Sequence, residues 1–412
     1  MHANIRKLLM AAAVISTAPP AFADVITDWN ENAVTFVTPR MAPGAAQRVV
    51  AIMQVAMFDA VNSIERRYRP YLVQLPAAPT TSKEAAATAA AGIVLASLIP
   101  QVQEQMKGMT TSYLASIPNS DAKAEGIKLG ETVAAKLLEA RAKDGADAPD
   151  AYRYKTKPGV YVPTPITVSS TWGNVTPFAL AKSSQFRPAP PIALKSGEWA
   201  TDYNEIKDLG GRTSTKRSDR QTEDARFWLI TGPQSTEPVV RQVVEAKKMS
   251  VIDSARFMAL TAMAGADAAI AVFDAKYHYE FWRPITAIRN GDQDDNPGTE
   301  RDATWQPIDN TPMHPEYPCA HCITSSAAGV VLKSVFGDDV PEVSMTSLTA
   351  PGVTRKWTRI QDYTDEVSVA RIYAGFHYRF STKVGEEMGR EIGALTVATQ
   401  LRQAEATAGS RR

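Results

Sequence analysis

The spacing of apolar residues constrains the fold of this chain more than any other feature. Over residues 45–64 they recur every three or four positions, the period of an α-helix with one buried face. The same period predicts helices over residues 82–98, 122–142, 221–230, 238–247, 250–279, 323–335 and 362–402. Alternating patterns typical of strands are nearly absent, and the best candidate, 161–169, is interrupted by Pro163 and Pro165. The sequence therefore predicts a mainly α protein of packed helical bundles.

Residues 144–220 depart from this pattern, because they are rich in proline and poor in helix signals. They also contain several aromatic residues, whereas flexible linkers contain few. We therefore expect an ordered covering segment, or lid, that packs on the bundles. The predicted organisation is a single domain over 24–412. It consists of N-terminal helices over 24–143, the lid over 144–220 and an active-site bundle over 221–405.

The first 23 residues have the composition of an export signal. Arg6 and Lys7 precede a short apolar run, and Ala21-Phe22-Ala23 has the small-x-small form of a signal-peptidase site. Cleavage after Ala23 predicts a periplasmic or secreted protein. The apolar run is too short to span a bilayer. The most apolar later stretch, 257–273, contains Asp267, so we expect no membrane span in the mature chain.

The charge balance excludes one class of partner. The 412 residues include 45 Lys and Arg and 44 Asp and Glu, for a formal net charge of +1. A nucleic-acid-binding protein usually carries an overall basic field, which this chain lacks. We therefore expect no nucleic-acid partner, and any positive charge that has a function must be local.

Basic and nucleophilic side chains concentrate in the second half of the chain. Four of the five histidines fall within about 100 residues: His278, His314, His321 and His377. Lys276 and Arg283 are seven positions apart, or two helical turns, so we expect them on one helix face. Pro284 disfavours helical geometry at Arg283, which predicts that the helix ends there.

A predicted helix N-terminus and a predicted long helix add to this cluster. Pro318 begins the segment 318–321, and proline at a first helical position leaves the next backbone amides free to bind an anion. Arg371 and His377 lie six apart on the helix predicted over 362–402. Two arginines, a lysine and free amides suit a tetrahedral oxyanion. Two histidines beside it could act as a ligand or nucleophile and as an acid/base.

These residues form three motifs: Lys276-x6-Arg283-Pro284, Pro318-Cys319-Ala320-His321 and Ala370-Arg371-x5-His377. In this order they resemble the signature of the vanadium haloperoxidase and type 2 phosphatidic acid phosphatase superfamily, usually written K-x6-R-P, P-S-G-H and S-R-x5-H. Three motifs in sequence are far more specific than one short pattern. The likeness is to the bacterial haloperoxidase-related branch, and it implies a haloperoxidase/acid phosphatase-like helical fold.

The resemblance implies a site for vanadate, which phosphate could also occupy because both are tetrahedral anions. The residues implied to hold it are Lys276, Arg283, Cys319, Ala320, Arg371 and His377. In this interpretation His321 is the general acid/base, and Lys276 polarises hydrogen peroxide. His377 coordinates vanadium, or attacks phosphorus in a phosphatase. Vanadium keeps its oxidation state, so no electron-transfer cofactor is needed.

Four positions differ from the usual signature. Cys319 and Ala370 replace serines, Ala320 replaces glycine, and Ser381 replaces the aspartate that often follows the last histidine by four. The loss of that aspartate removes a possible carboxylate partner for the histidine. His314, seven residues before the histidine of the second motif, matches a histidine of the algal bromoperoxidases and favours the peroxidase interpretation.

The leading hypothesis is an exported haloperoxidase that oxidises halide, with bromide favoured, using hydrogen peroxide. One alternative is a periplasmic acid phosphatase that acts on phosphate esters through a phosphohistidine, and another is a non-catalytic oxyanion-binding protein. Cys319 and Cys322 could form a redox pair or half of a zinc site. A local disulfide is favoured, because the predicted compartment is oxidising.

Overall fold

The computed structural model describes residues 24–163 and 165–404, so the predicted export signal over 1–23 lies outside the described residues. The fold is mainly α, as predicted. The helices are α1 (Val25–Val37), α2 (Pro43–Glu65), α3 (Lys83–Leu98), α4 (Gln103–Ser116), α5 (Asp121–Arg141), α6 (Gly197–Gly210), α7 (Asp219–Phe227), α8 (Glu237–Lys247), α9 (Val251–Tyr279), α10 (Pro284–Arg289), α11 (Ala320–Phe336), α12 (Ile360–Tyr373) and α13 (Arg379–Thr399). Strands β1 (Asp339–Ser347) and β2 (Ala350–Arg359) form an antiparallel hairpin.

Most predicted helices occur with small shifts at their ends, but four of the described helices (α1, α4, α6 and α10) and the hairpin were not predicted. The helix α6 lies inside the proline-rich segment, where Trp199, Asp202, Tyr203 and Ile206 are buried at helical spacing. That period was present in the sequence, although the surrounding prolines concealed it. The strand proposed over 161–169 does not form in the described part of that stretch. The boundaries drawn at 143 and 220 stay predictions.

The helix α9 lies at the centre of the molecule. It packs against α2, which precedes it in the chain, and against α11 and α13, which follow it. Ser250 caps its start by accepting a hydrogen bond from the Asp253 amide. This helix is long and apolar enough to cross a membrane, as is the pair formed by α3 and residues 100–116, which bends by 118°. However, 89% of the apolar window of α9 is buried, which is typical of a core helix.

Glycines on α13 bring that helix very close to α11. A Cβ atom at Gly389 would lie 2.4 Å from the carbonyl oxygen of Ile323, so a larger residue would force the helices apart. The N-terminal helices use the same device. A Cβ atom at Gly130 on α5 would lie 2.2 Å from the carbonyl oxygen of Ala86 on α3. The contact with α13 fixes the position of α11, whose first residues belong to the predicted anion site.

The residues that follow α5 lie across α9 in an ordered arrangement. The backbone amides of Phe178, Ala179 and Leu180 donate to the carboxylate of Asp267 on α9, at 2.6–2.9 Å. Burial raises the pKa of Asp267 to about 6. Three backbone donors on one buried carboxylate hold this segment against the helices.

Candidate oxyanion site

The predicted site residues meet around one cavity of about 370 Å³. The polar residues that line it include His314, His321, Thr324, Arg371, His377 and Asp309, and Ala320 also lines it. The apolar wall includes Val168, Leu229, Val272, Phe273, Met313 and Phe376. Lys276 and Arg283 lie behind the polar wall and contact residues that form it. The cavity therefore has one charged side and one apolar side.

Lys276 and Arg283 reach the site from two different elements. The helix α9 ends at Tyr279, because Glu280 adopts a left-handed conformation with φ 50°. Arg283 lies beyond this turn and precedes α10 with an extended backbone. The prediction that both residues share one helix face is therefore wrong. The left-handed residue Glu280 therefore ends the helix before the chain reaches Pro284.

Lys276 is fully buried in the last turn of α9. Its Nζ donates to the carbonyl oxygens of Pro315 at 2.9 Å and Glu316 at 2.7 Å. An ammonium group has three donors, so one remains after these two bonds. The two bonds attach the lysine to the segment that leads into α11.

Arg283 joins the segments that carry two of the histidines. Its Nε donates to the carbonyl oxygen of His314 at 2.9 Å, and its Nη1 donates to that of Phe376 at 2.9 Å. Nη2 lies 3.0 Å from Nδ1 of His314, and Nη1 lies 3.3 Å from Nε2 of His377. A single guanidinium therefore contacts both imidazoles.

Arg371 and His377 are separated by a break between helices. The predicted single helix over 362–402 is wrong, because α12 ends at Tyr373 and α13 begins at Arg379. Gly375 lies in the break with φ 78°, and a Cβ atom there would lie 2.5 Å from the carbonyl oxygen of Gly210. Glycine is therefore required at this turn. The turn carries His377 into the cavity wall beside Arg371.

The guanidinium of Arg371 is only partly satisfied by the protein. Its Nη1 donates to the carbonyl oxygen of Trp228, and its carbon lies 5.0 Å from the ring centre of Phe376. Its Nε is buried without a hydrogen-bond partner. A buried donor without an acceptor is unfavourable, so this atom is suited to receive an acceptor from a ligand.

The site holds an excess of buried positive charge. Within 24–163 and 165–404, neither arginine nor Lys276 lies within ion-pair distance of a carboxylate. Burial lowers the pKa of Lys276 well below its ordinary value, and it lowers that of Arg283 to about 10 and that of Arg371 to about 9. A bound anion would stabilise all three charged forms.

The three histidines of the site are neutral near pH 7. Burial lowers the pKa of His314, His321 and His377 well below the usual value, and the neighbouring cations lower it further. Nε2 of His321 donates to the carbonyl oxygen of Ile230 at 2.8 Å. Its Nδ1 is therefore the nitrogen that can accept a proton.

The start of α11 has free amides as predicted, but the helix begins at Ala320 with Cys319 as its cap, so the predicted helical position of Pro318 is wrong. In the described chain, the amides of Ala320 and His321 donate to no protein acceptor, and both residues line the cavity. Cys319 differs, because its amide donates to the carbonyl oxygen of Ser381 at 3.3 Å. Its sulfur forms a disulfide with Cys322, as favoured above, so the zinc interpretation of this pair is wrong. The amides available to an anion are thus those of Ala320 and His321.

Sequence reasoning missed one residue of the site, Glu316. This glutamate is fully buried, and its Oε1 accepts hydrogen bonds from Nδ1 of His377 at 2.9 Å and from the amide of Tyr378 at 3.1 Å. The sequence did contain a signal for this residue: an acid lies two residues before the second motif, and the chain lacks the usual aspartate at 381 that could pair with the histidine. His377 therefore has a carboxylate partner that comes from a different segment.

Comparisons with known proteins show what this chain is similar to. Residues 256–405 match the family model of the VCPO second helical-bundle domain. Vanadium chloroperoxidase from Curvularia inaequalis is 24% identical over 288 residues, which cover 53% of this chain and 46% of that protein. The match thus spans about half the length of this relative.

Two solved structures extend the likeness to nearly the whole chain. A structure described as the first bacterial vanadium-dependent iodoperoxidase superposes with a TM-score of 0.79 and 24% identity, covering 93% of this chain and 97% of that one. A holo bacterial vanadium-dependent chloroperoxidase gives a TM-score of 0.72 and 17% identity, covering 89% and 94%. These likenesses show a shared fold that includes both halves of the molecule.

Proposed function

We propose that this chain is a vanadium-dependent haloperoxidase, because residues 256–405 match the VCPO second helical-bundle domain and the three motifs resemble the superfamily signature. Its reaction would be the oxidation of halide, bromide in preference, by hydrogen peroxide. One observation carries the proposal: three buried cations surround a neutral histidine, and none is paired with a carboxylate in the described chain. Such a site favours an anion with several oxygens.

The residues present fit vanadate. Arg371 has a buried donor without an acceptor, Lys276 has one N–H left after two carbonyl bonds, and α11 offers two free amides. Arg283 would add its guanidinium charge, and Nε2 of His377 would be the nitrogen ligand. Bound vanadate would supply the electrophilic centre at which hydrogen peroxide is activated, without a change of its own oxidation state.

The histidines have distinct tasks in this proposal. His377 donates from Nδ1 to a carboxylate, so the lone pair is on Nε2, which lies 3.3 Å from Nη1 of Arg283 and would be the ligand atom. His321 holds its proton on Nε2, so its Nδ1 can take a proton from hydrogen peroxide and later return it. Lys276 supplies positive charge that polarises the peroxide. His314 lines the cavity as a third neutral imidazole.

A phosphatase is the second candidate, and the same histidine supports it. A neutral imidazole with a free Nε2 and a carboxylate on Nδ1 is the arrangement of a nucleophilic histidine. The cationic cradle would stabilise a transferring phosphoryl group equally well. A protein that binds oxyanions without catalysis is the third candidate, and its cradle would be the same.

One pair of assays separates the three candidates. The mature protein is tested for bromide-dependent bromination of monochlorodimedone with and without vanadate, beside hydrolysis of p-nitrophenyl phosphate. We expect bromination that requires vanadate, and its absence in vanadate would refute the haloperoxidase proposal. Hydrolysis without bromination would favour the phosphatase, and anion binding without either activity would favour the third candidate.

Two variants test the division of labour between the histidines. We expect His377→Ala to abolish vanadate binding, and His321→Ala to retain the anion while losing turnover. Equal vanadate affinity in the wild type and His377→Ala would contradict the ligand assignment.

Export is a separate part of the proposal, and it rests on the sequence of residues 1–23. Expression of the full chain in a bacterium with a periplasm should give a protein in the periplasmic or external fraction. Its N-terminal sequence should begin at Asp24. A cytoplasmic protein that keeps residues 1–23 would contradict this.

A further inference from the structure

We propose that Glu316 is the positioning residue for His377, and that it replaces in space the aspartate that this chain lacks at position 381. The proposal rests on the proposed oxyanion site, since it concerns how one histidine of that site is held. It adds a residue that none of the three sequence motifs contains.

The contacts of the carboxylate fix both the ring and the backbone of the histidine. Oε1 of Glu316 receives the Nδ1–H of His377 and the amide of Tyr378, the next residue. Since Oε1 already accepts from an amide, the imidazole nitrogen facing it is the donor. The lone pair is then on Nε2, which faces the guanidinium of Arg283 at 3.3 Å. This is the tautomer that an anion ligand or nucleophile requires.

The backbone of Glu316 connects the same residue to the first motif. Its amide donates to the carbonyl oxygen of Phe281 at 2.9 Å, and its carbonyl oxygen accepts from Nζ of Lys276 at 2.7 Å. One residue therefore holds the lysine by its main chain and the histidine by its side chain. A change that preserves the main chain but alters the carboxylate should affect His377 and the Tyr378 amide, and should leave the bond to Lys276 in place.

Position 381 provides an independent way to supply the carboxylate. Ser381 follows His377 by four residues and is fully buried on the first turn of α13. Its hydroxyl lies beside Glu316, although its Oγ and the second carboxylate oxygen, Oε2, make no full hydrogen bond. Both positions therefore flank the same space, and an aspartate at 381 can take over when the glutamate is neutralised.

The experiment measures vanadate and phosphate affinity of the mature protein by isothermal titration calorimetry. Glu316→Gln keeps the size of the side chain, and we expect affinity to fall 10- to 100-fold. In the double variant Glu316→Gln/Ser381→Asp we expect affinity within about threefold of the wild type, since the carboxylate is restored. Glu237→Gln is the matched control, because Glu237 is also buried and accepts from a side-chain amide, that of Asn30, in α1. We expect it to leave affinity unchanged.

A second readout reports the tautomer without any anion. In long-range proton–nitrogen spectra, His377 of the wild type should carry its proton on Nδ1, and Glu316→Gln should populate the other tautomer. A merely space-filling role would leave this spectrum unchanged.

The outcomes separate the two proposals. A wild type that binds neither vanadate nor phosphate refutes the proposed site and this inference with it. A wild type that binds, with equal affinity in Glu316→Gln, refutes the inference alone. A double variant that is folded by circular dichroism but stays as weak as Glu316→Gln also refutes it.

Discussion

Two buried arginines, one in each half of the molecule, have opposite surroundings. Arg141 ends α5, pairs with Asp144 at 2.7 Å and donates to two carbonyl groups of the segment that crosses α9. Arg371 lies in the last turn of α12, donates to one carbonyl and has no carboxylate partner within the described chain. Their exposed fractions are 5% and 2%. The fold balances the first charge internally, whereas no carboxylate of the described chain balances the second.

The difference separates stabilising charges from functional ones. Breaking a buried ion pair destabilises a protein, because the remaining partner is left unpaired. Removing a buried charge that has no partner makes the folded state more stable. The same change weakens binding of the ligand that would have balanced the charge. The two arginines should therefore respond in opposite ways to the same substitution.

The largest expected effect is the loss of anion affinity in Arg371→Met. Methionine fills similar space without charge, and the loss of two charge-assisted hydrogen bonds should weaken vanadate binding about 1,000-fold, or about 4 kcal/mol. The anion-free variant should be as stable as the wild type or about 1 kcal/mol more stable, since the uncompensated charge is removed. Calorimetric titration and urea unfolding measure the two quantities. A variant less stable by 2 kcal/mol would show that Arg371 is a structural residue.

The next effect is a loss of stability in Arg141→Met. This change leaves Asp144 with only Arg48, its other partner at 2.7 Å, and removes two bonds that hold the crossing segment. We expect the free energy of unfolding to fall by about 3 kcal/mol. Vanadate affinity should stay within about threefold of the wild type, because Arg141 is not part of the cavity wall. A large loss of affinity with intact stability would invalidate the comparison.

The sequence predicted which cationic residues lie close together better than it predicted their local conformations. Lys276, Arg283 and Arg371 were identified from motif spacing, and the structure brings them together as expected. Their local conformations were wrong, because the break at Gly375 and the helix end at Glu280 depend on left-handed residues that helical periods do not reveal.

The remaining errors have other physical origins. The partner of the last histidine comes from Glu316, 61 positions earlier, and no local pattern encodes a pairing between distant segments. The hairpin was missed because buried and exposed positions alternate along only part of each strand. Residues 1–23 lie outside the described part, so the export signal remains a prediction.

A smaller effect should distinguish the two glycine contacts. Gly389→Ala and Gly130→Ala each place a methyl group against a backbone carbonyl, at 2.4 Å and 2.2 Å, and each should lower the free energy of unfolding by about 2 kcal/mol. Only Gly389→Ala should also weaken vanadate binding, by about tenfold, because it displaces the start of α11, where the free amides lie. Urea unfolding and calorimetry provide the comparison. Equal affinity in both variants would mean that α11 tolerates the shift.

The smallest effect concerns pH and the carboxylate that holds the crossing segment. Burial raises the pKa of Asp267 to about 6 in the folded protein, from an ordinary value of 3.8. The folded state therefore holds this proton more tightly, so its contribution to stability is complete below about pH 4 and is lost as pH rises through 6. Between pH 4 and 6, the free energy of unfolding of Asp267→Asn should fall less steeply than that of the wild type. The two slopes should differ by about 1 kcal/mol per pH unit.

Asp59 on α2 provides the matched control for this measurement. Its pKa is also raised by burial to about 6, and it accepts three backbone amides, those of Tyr71, Leu72 and Val73. Asp59→Asn should flatten the same pH range by a similar amount, and neither variant should change vanadate affinity. If both slopes stay equal to that of the wild type, the three amide donors keep each carboxylate ionised in the folded state. Burial would then affect the pKa values of Asp267 and Asp59 less than their three amide donors do.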